Sequence, residues 1–161
     1  MKREKMKKIS LLLIISITVV SSLSGCAWFS ANIPTAEMDV QSVTYLNPDI
    51  NGQASPVALT IYQLSKPDKF NQASYIALEN NSSAVLGDDL IDKNIIEIRP
   101  KTTMHISEAI SEDTHYIGII AGYQNQRIGN WRHLIKCDTT ANKNINLKIL
   151  LESHTLSVKT N

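Results

Sequence analysis

The sequence predicts an all-β fold with a small helical insertion: a two-sheet β-sandwich of seven to eight strands. Three observations carry this. Short runs of alternating apolar and polar residues recur along the chain, the period-2 signature of half-buried strands. Turn formers separate the runs, as in a sandwich. Only one stretch, near residues 66–92, changes to helical spacing.

Met38, Val40, Ser42, Thr44 and Leu46 form one face of the first expected strand, and Val57, Leu59 and Ile61 one face of the second. Ser65-Lys66-Pro67-Asp68 has the spacing of a capping box, with Asp in the place of Glu or Gln. Pro67 suits a first helical turn, where its missing N–H does no harm. Phe70, Ala73 and Ala77, with Ile76 close by, then give a helix that Asn80-Asn81-Ser82-Ser83 ends, and Ala84 to Asp92 allows a short second helical turn. Ile96 and Ile98 mark a third strand. Met104 and Ile106 mark a fourth, beyond the Arg99-Pro100-Lys101 turn. His115 to Tyr123 is nearly all apolar, as expected of a central strand covered on both faces. Trp131 to Cys137 is a sixth strand. Ile145, Leu147, Ile149 and Leu151 alternate cleanly in a seventh, and Leu156 and Val158 suggest a last edge strand.

The 161 residues allow one domain and exclude large multidomain enzymes. The charge is unevenly spread. Lys2, Arg3, Lys5, Lys7 and Lys8 crowd the start, and the uncharged apolar run Ile9 to Val20 follows. That run is too short for a bilayer, which needs roughly 20 apolar residues, and has the length of a secretory h-region. Leu23-Ser24-Gly25-Cys26 comes next and resembles the bacterial lipobox. The expected organisation is a lipoprotein signal peptide over 1–25, a lipidated tether over 26–36 and the sandwich domain over 37–161. Leu23, Ser24 and Gly25 are then the signal-peptidase recognition residues. The lipobox resemblance implies a diacylglyceryl thioether on Cys26 and acylation of its new amino group. Ala27, which is not Asp, favours the outer membrane by resemblance to Gram-negative lipoprotein sorting.

Five of the 16 basic residues and one of the 15 acidic ones lie in the first 25 positions, leaving 11 against 14. No basic stripe survives in this mildly acidic remainder, so nucleic acid is not an expected partner. Cys137 is the only cysteine besides Cys26 and reads as a small buried apolar residue, with a catalytic or disulfide-exchanging thiol as the alternative. Trp28 and Phe29 in the tether suit the lipid headgroup region.

Catalytic signatures are missing. Asp88-Asp89-Leu90-Ile91-Asp92 matches an acidic motif of large helical isoprenoid synthases, but in this short chain it reads as a solvated acidic turn. His105, His115, His133 and His154 are far apart and lack metal-ligand spacing. There is no G-x-S-x-G elbow, P-loop or dinucleotide fingerprint. No enzyme activity, metal, cofactor or small-molecule substrate is expected beyond the covalent lipid.

Leu46-Asn47-Pro48-Asp49-Ile50-Asn51-Gly52-Gln53-Ala54-Ser55-Pro56-Val57, leading into Ile61-Tyr62-Gln63-Leu64, resembles the outer-membrane lipoprotein of the type VI secretion system, the TssJ (SciN/VasD) family. The resemblance continues through Phe70-Asn71-Gln72-Ala73, Leu86-Gly87-Asp88-Asp89-Leu90, Arg99-Pro100, Tyr116 to Tyr123 and Asn130-Trp131-Arg132, collinear from about residue 38 to 151. It implies a transthyretin-like sandwich without enzymatic activity, on the periplasmic face of the outer membrane. It implies binding to the periplasmic C-terminal region of the inner-membrane protein TssM, and through it a link to TssL. It assigns partner contact to the loop between the first two strands, here Asn47, Pro48, Asp49, Ile50, Asn51, Gly52, Gln53, Ala54 and Ser55. The residue chemistry makes Asn47, Pro48 and Gly52 turn formers and leaves Asp49, Ile50 and Gln53 open between contact and support. Trp131 is expected in the core and Arg132 as a satisfied surface partner. The competing readings are another outer-membrane lipoprotein module, pilotin-like or an inhibitor, and a transthyretin-like hydrolase. The hydrolases end in Tyr-Arg-Gly-Ser, whereas this chain ends Ser157-Val158-Lys159-Thr160-Asn161.

Overall fold

A computed structural model describes residues 33–137 and 144–160. The expected signal peptide, the lipobox residues Leu23, Ser24 and Gly25, Cys26 and most of the tether lie outside these. Among the described residues no helix is long and apolar enough to cross a membrane.

Eight strands form two four-stranded sheets. The strands are β1 (Thr35–Ser42), β2 (Val57–Leu64), β3 (Leu90–Ile98), β4 (Thr103–Ala109), β5 (Tyr116–Ala121), β6 (Arg132–Lys136), β7 (Ile145–Leu151) and β8 (Leu156–Thr160). One sheet has the order β4-β1-β7-β8 and the other β3-β2-β5-β6. All pairings are antiparallel except β1 with β7. The sandwich class is as the alternation predicted.

Alternation fixes which residues enter the sandwich. Met38 and Val40 from β1, Val57, Leu59 and Ile61 from β2, and Leu147, Ile149 and Leu151 from β7 lie in one core with Ile117 and Ile119 of β5. A second, smaller core lies on the other side of the β2–β5 sheet. Tyr62, Leu64 and Ile120 meet Phe70, Leu78 and Leu86 there. These last three come from α1 (Asp68–Gln72) and α2 (Tyr75–Leu86). The second layer explains the unbroken apolar run of β5. Sandwich core covers one face of that strand, and helices cover the other.

Three local expectations need correction. β1 ends at Ser42, and Thr44 is an exposed turn residue rather than part of a strand face. The cause is visible in the hydrogen bonds: Ser42 Oγ donates to the Arg99 carbonyl (2.7 Å) and accepts from the Thr102 N–H (2.8 Å), which pins the strand end to the β3–β4 turn. The capping box at Ser65 is not formed. The Ser65 N–H donates to the Asp89 carbonyl, and α1 begins after Pro67 without a side-chain cap. The expected helix is also broken at Ala73, whose backbone is extended; Ser74 caps α2 by accepting from the Ala77 N–H at 3.3 Å. Inside α2, Asn81 leaves helical geometry (φ −152°, ψ 54°), and its side chain caps the following turn through the Ala84 N–H (3.3 Å). The Asn80–Ser83 stretch thus ends one helical piece, as expected, and Asn81 caps the short second piece that runs on to Leu86.

The parallel β1–β7 pair and the antiparallel remainder sort the connections by end. Thr35, Ile110, Cys137 and Ile145 lie at the end where the domain begins. The β1–β2, β3–β4, β5–β6 and β7–β8 connections lie at the far end, one strand length away: about 25 Å for eight residues at roughly 3.3 Å each.

Candidate docking site

The β1–β2 connection is built around Asn47. Its backbone is left-handed (φ 44°), a conformation that asparagine tolerates better than most residues. It is 3% exposed and works as a hub. Its N–H donates to the Ser153 carbonyl (3.0 Å) and its Nδ2 to the Pro56 carbonyl (2.8 Å). Its Oδ1 accepts from the Gln124 N–H (2.8 Å). The Ser55 hydroxyl donates to the Asn47 carbonyl and accepts from Gln124 Nε2 (2.9 Å). One buried amide therefore ties three far-end connections together.

Asp49 closes the tip. Its carboxylate accepts from the N–H groups of Asn51 (2.9 Å) and Gln53 (2.7 Å). Its own N–H donates to the Gln53 carbonyl, and its carbonyl accepts from the Gly52 N–H, both at 2.9 Å. Gly52 has φ +79°, and a Cβ there would lie 2.8 Å from the Tyr45 hydroxyl. Glycine therefore serves both the turn and the close approach of the Tyr45 hydroxyl. The loop residues held open by the sequence now separate. Asp49 supports the loop, Gln53 is exposed, and Ile50 projects from the tip at 99% exposure.

Tyr45 (55% exposed) and Ile128 (51%) border the same depression of about 550 Å³ as Ile50. Pro48, Gly52, Asn125 and His154 also line it. The sequence reading missed Tyr45, Ile128 and Gln124. The turn-rich run Gly122 to Gly129 was the available signal, but nothing in its spacing places it beside residues 47–55.

Trp131 is half-buried rather than fully in the core, and packs against both apolar clusters. Arg132 is satisfied, as expected. Its Nη1 donates to the carbonyls of Phe70 (2.8 Å) and Ala73 (3.0 Å), which fastens the end of α1 to β6. Its guanidinium stacks 4.8 Å from the Trp131 ring centre. The acidic motif is only partly a solvated turn. Asp88 and Asp92 are exposed, but Asp89 is buried and lies 3.4 Å from Lys69. Among the described residues no His, Cys, Asp or Glu cluster has the makeup of a metal site. The sequence also missed His105, which bridges Asp39 (2.9 Å) and Glu37 (2.8 Å) on the open face of the β4–β1 pair. These hydrogen bonds raise the His105 pKa, that to Asp39 most. The Glu37 pKa is lowered by hydrogen bonds from Thr35, Ser107 and His105.

The family profile described as "Type VI secretion lipoprotein, VasD, EvfM, TssJ" matches residues 34–154. The chain belongs to this family. Solved structures agree with the fold. The lipoprotein TssJ1 of Pseudomonas aeruginosa is 26% identical with a TM-score of 0.75, the match covering 80% of this chain and 96% of that one. Serratia marcescens Lip, described as a membrane-bound component of the type VI secretion system, is 20% identical (TM-score 0.73; 80% and 99% covered). A chain in the structure described as "T6SS protein TssM C-terminal domain (869-1107) from EAEC" is 21% identical (TM-score 0.65; 79% and 98% covered). No curated protein matches the chain. The family is one of secretion-system lipoproteins, and membership makes this chain a type VI secretion lipoprotein.

Proposed function

We propose that this type VI secretion lipoprotein is held by lipid on Cys26 at the periplasmic face of the outer membrane. There it anchors the trans-envelope complex by binding the periplasmic C-terminal domain of TssM, and through TssM it is linked to TssL. The observation that carries this reading is the position of the loop. Residues 47–55 form a braced, apolar-tipped loop at the end of the sandwich opposite Thr35, where the tether joins. Thr35 lies nine positions after Cys26, a reach of at most roughly 30 Å. A lipid attached through that end leaves the loop at the domain's free end, open to a partner. Three acyl chains give ample anchoring, since each buried CH₂ contributes about 0.8 kcal/mol and stable attachment takes two signals. The match to a chain of the TssM-domain structure adds support. That chain is 98% covered by part of a 161-residue protein, so it is shorter than the 869–1107 segment that the description names.

The test uses a purified TssM periplasmic domain and biolayer interferometry. Deleting Asn47 to Ser55 is expected to abolish binding, with a thermal melt to establish folding because the deletion also removes the buried Asn47 hub. Ile50→Ser, which leaves the hub in place, is expected to weaken binding at an unchanged melting temperature. Full-affinity binding by the folded deletion sinks the loop assignment. Cys26→Ser is expected to lose processing or membrane retention, and correctly cleaved, membrane-held Cys26→Ser protein removes the lipid from the account.

A further inference from the structure

Tyr45, Ile50 and Ile128 surround one depression, whereas the exposed Ile76, Ile95 and Leu150 stand on three different elements. An apolar group gathered in one place marks a contact surface more often than scattered residues do. A depression of about 550 Å³ is the size of a small-molecule site. It is also rigid. The Asn47–Gln124 and Ser55–Gln124 bonds join the loop that carries Ile50 to the loop that carries Ile128. Gly52 leaves the space in which Tyr45 lies. A surface built this way loses little entropy on binding.

We propose that Tyr45 and Ile128 complete the docking surface begun by Ile50, and that the depression receives an aliphatic or aromatic side chain from the partner protein. This rests on the reading that the far end docks TssM. The chain's own tether fails as an occupant on geometry. Trp28 and Phe29 are the spare apolar side chains of the lipidated tether. Four residues from Phe29 to Ile33 span at most roughly 14 Å, short of the strand length of about 25 Å that separates the two ends. A second copy docking end to end would use the same patch on both chains, related by a two-fold axis. That axis points the two N-terminal ends in opposite directions, so such a dimer has to lie flat with both tethers stretched, and sedimentation tests for it. A TssM domain that approaches the end opposite Thr35 meets neither constraint.

The experiment measures binding of the TssM periplasmic domain to the full lipidated chain in phospholipid nanodiscs. The variants are Ile50→Ser, Tyr45→Ala and Ile128→Ser, with Ile95→Ser as a control away from this end. Buried interface anchors of this kind cost more than 1.4 kcal/mol when truncated, which is tenfold in affinity. Tyr45→Ala and Ile128→Ser are each expected to weaken binding at least tenfold, and Ile95→Ser less than twofold. Thermal melts establish that each variant is folded, and Ile128→Ser carries the test alone where Tyr45→Ala is not. Loss with Ile50→Ser but not with Ile128→Ser or Tyr45→Ala overturns the depression and leaves the loop reading standing. Absence of binding by the unaltered chain overturns both. Self-association in sedimentation that Ile128→Ser removes makes a second copy the occupant and also overturns the proposal.

Discussion

Gly118→Ala is the most discriminating single change in the helix-covered layer. Gly118 lies on β5 between Tyr62 and Leu134 of its neighbours. A Cβ there would come within 2.7, 2.8 and 3.0 Å of three atoms of the Phe70 ring. The ring has nowhere to retreat. Phe70 is fully buried, Tyr62 lies 5.6 Å away at a 60° tilt, and Arg132 lies 5.9 Å from the ring centre on the Phe70 carbonyl it clamps. Overpacking a filled core costs about 1–3 kcal/mol. Replacing glycine returns about 0.4–1 kcal/mol by restricting the unfolded chain where the backbone fits. Three contacts at or below 3.0 Å put the cost in the upper half of that range, about 2–3 kcal/mol, so the net is a loss of about 1–2.5 kcal/mol. For a domain of this size each kcal/mol moves the melting temperature by roughly 3–5 °C, so Gly118→Ala is expected to melt about 3–12 °C lower by circular dichroism. Phe70→Leu supplies the cross-check. It removes the ring atoms that the new methyl meets, so the double variant should be less destabilised than the sum of the singles by about 1 kcal/mol or more. An unchanged melting temperature for Gly118→Ala, or additive costs in the double variant, refutes the account of this layer.

The remaining predictions concern titration and reactivity. Glu37 has a lowered folded pKa, so its contribution is present above the ordinary 4.5 and is lost as pH falls through the folded value. His105 has a raised folded pKa, so its contribution is present below the ordinary 6.5 and is lost as pH rises through the folded value. Melting temperature is therefore expected to decline as pH rises from 6.5, by a small amount because His105 is exposed, and His105→Gln should flatten that decline. Identical alkaline limbs in the two proteins would dismiss the bridge. Burial pushes the Cys137 thiol up to about 11, so little thiolate forms at pH 8. A thiol-reactive dye at that pH is expected to leave native, lipidated protein unlabelled and to modify one thiol in urea. Rapid labelling of Cys137 in the native state contradicts its buried position.

The strands were legible because their burial is decided by alternation, which is local. Ile145, Leu147, Ile149 and Leu151 announce both the strand and its buried face. The helical segment was legible as a segment but not in its joints. The apolar residues Phe70, Ala73 and Ala77 are compatible with one helix, and the break at Ala73 comes from Arg132, some sixty positions along the chain, which takes two of the carbonyls there. No local pattern contains that information. Ser65 likewise looked like a cap because its spacing is right, yet its backbone continues β2 toward Asp89.

The docking end shows the same division between local and distant causes, with more at stake for function. Turn chemistry marked residues 47–55 as a loop, and resemblance named it as a contact. Neither decided which of Asp49, Ile50 and Gln53 faces outward for a partner. The Asp49 carboxylate is consumed by two N–H groups of its own loop, so a partner gains little from it; its loss would act through the shape of the loop. Ile50 has no such internal use and no cover. A fully exposed isoleucine on a braced tip contributes nothing to the isolated fold, while Asn47, Asp49, Gly52 and Ser55 are all occupied in holding it there. Building and contact are thus carried by different residues, and a change at Asn47 should weaken stability and binding together, whereas one at Ile50 should weaken binding alone.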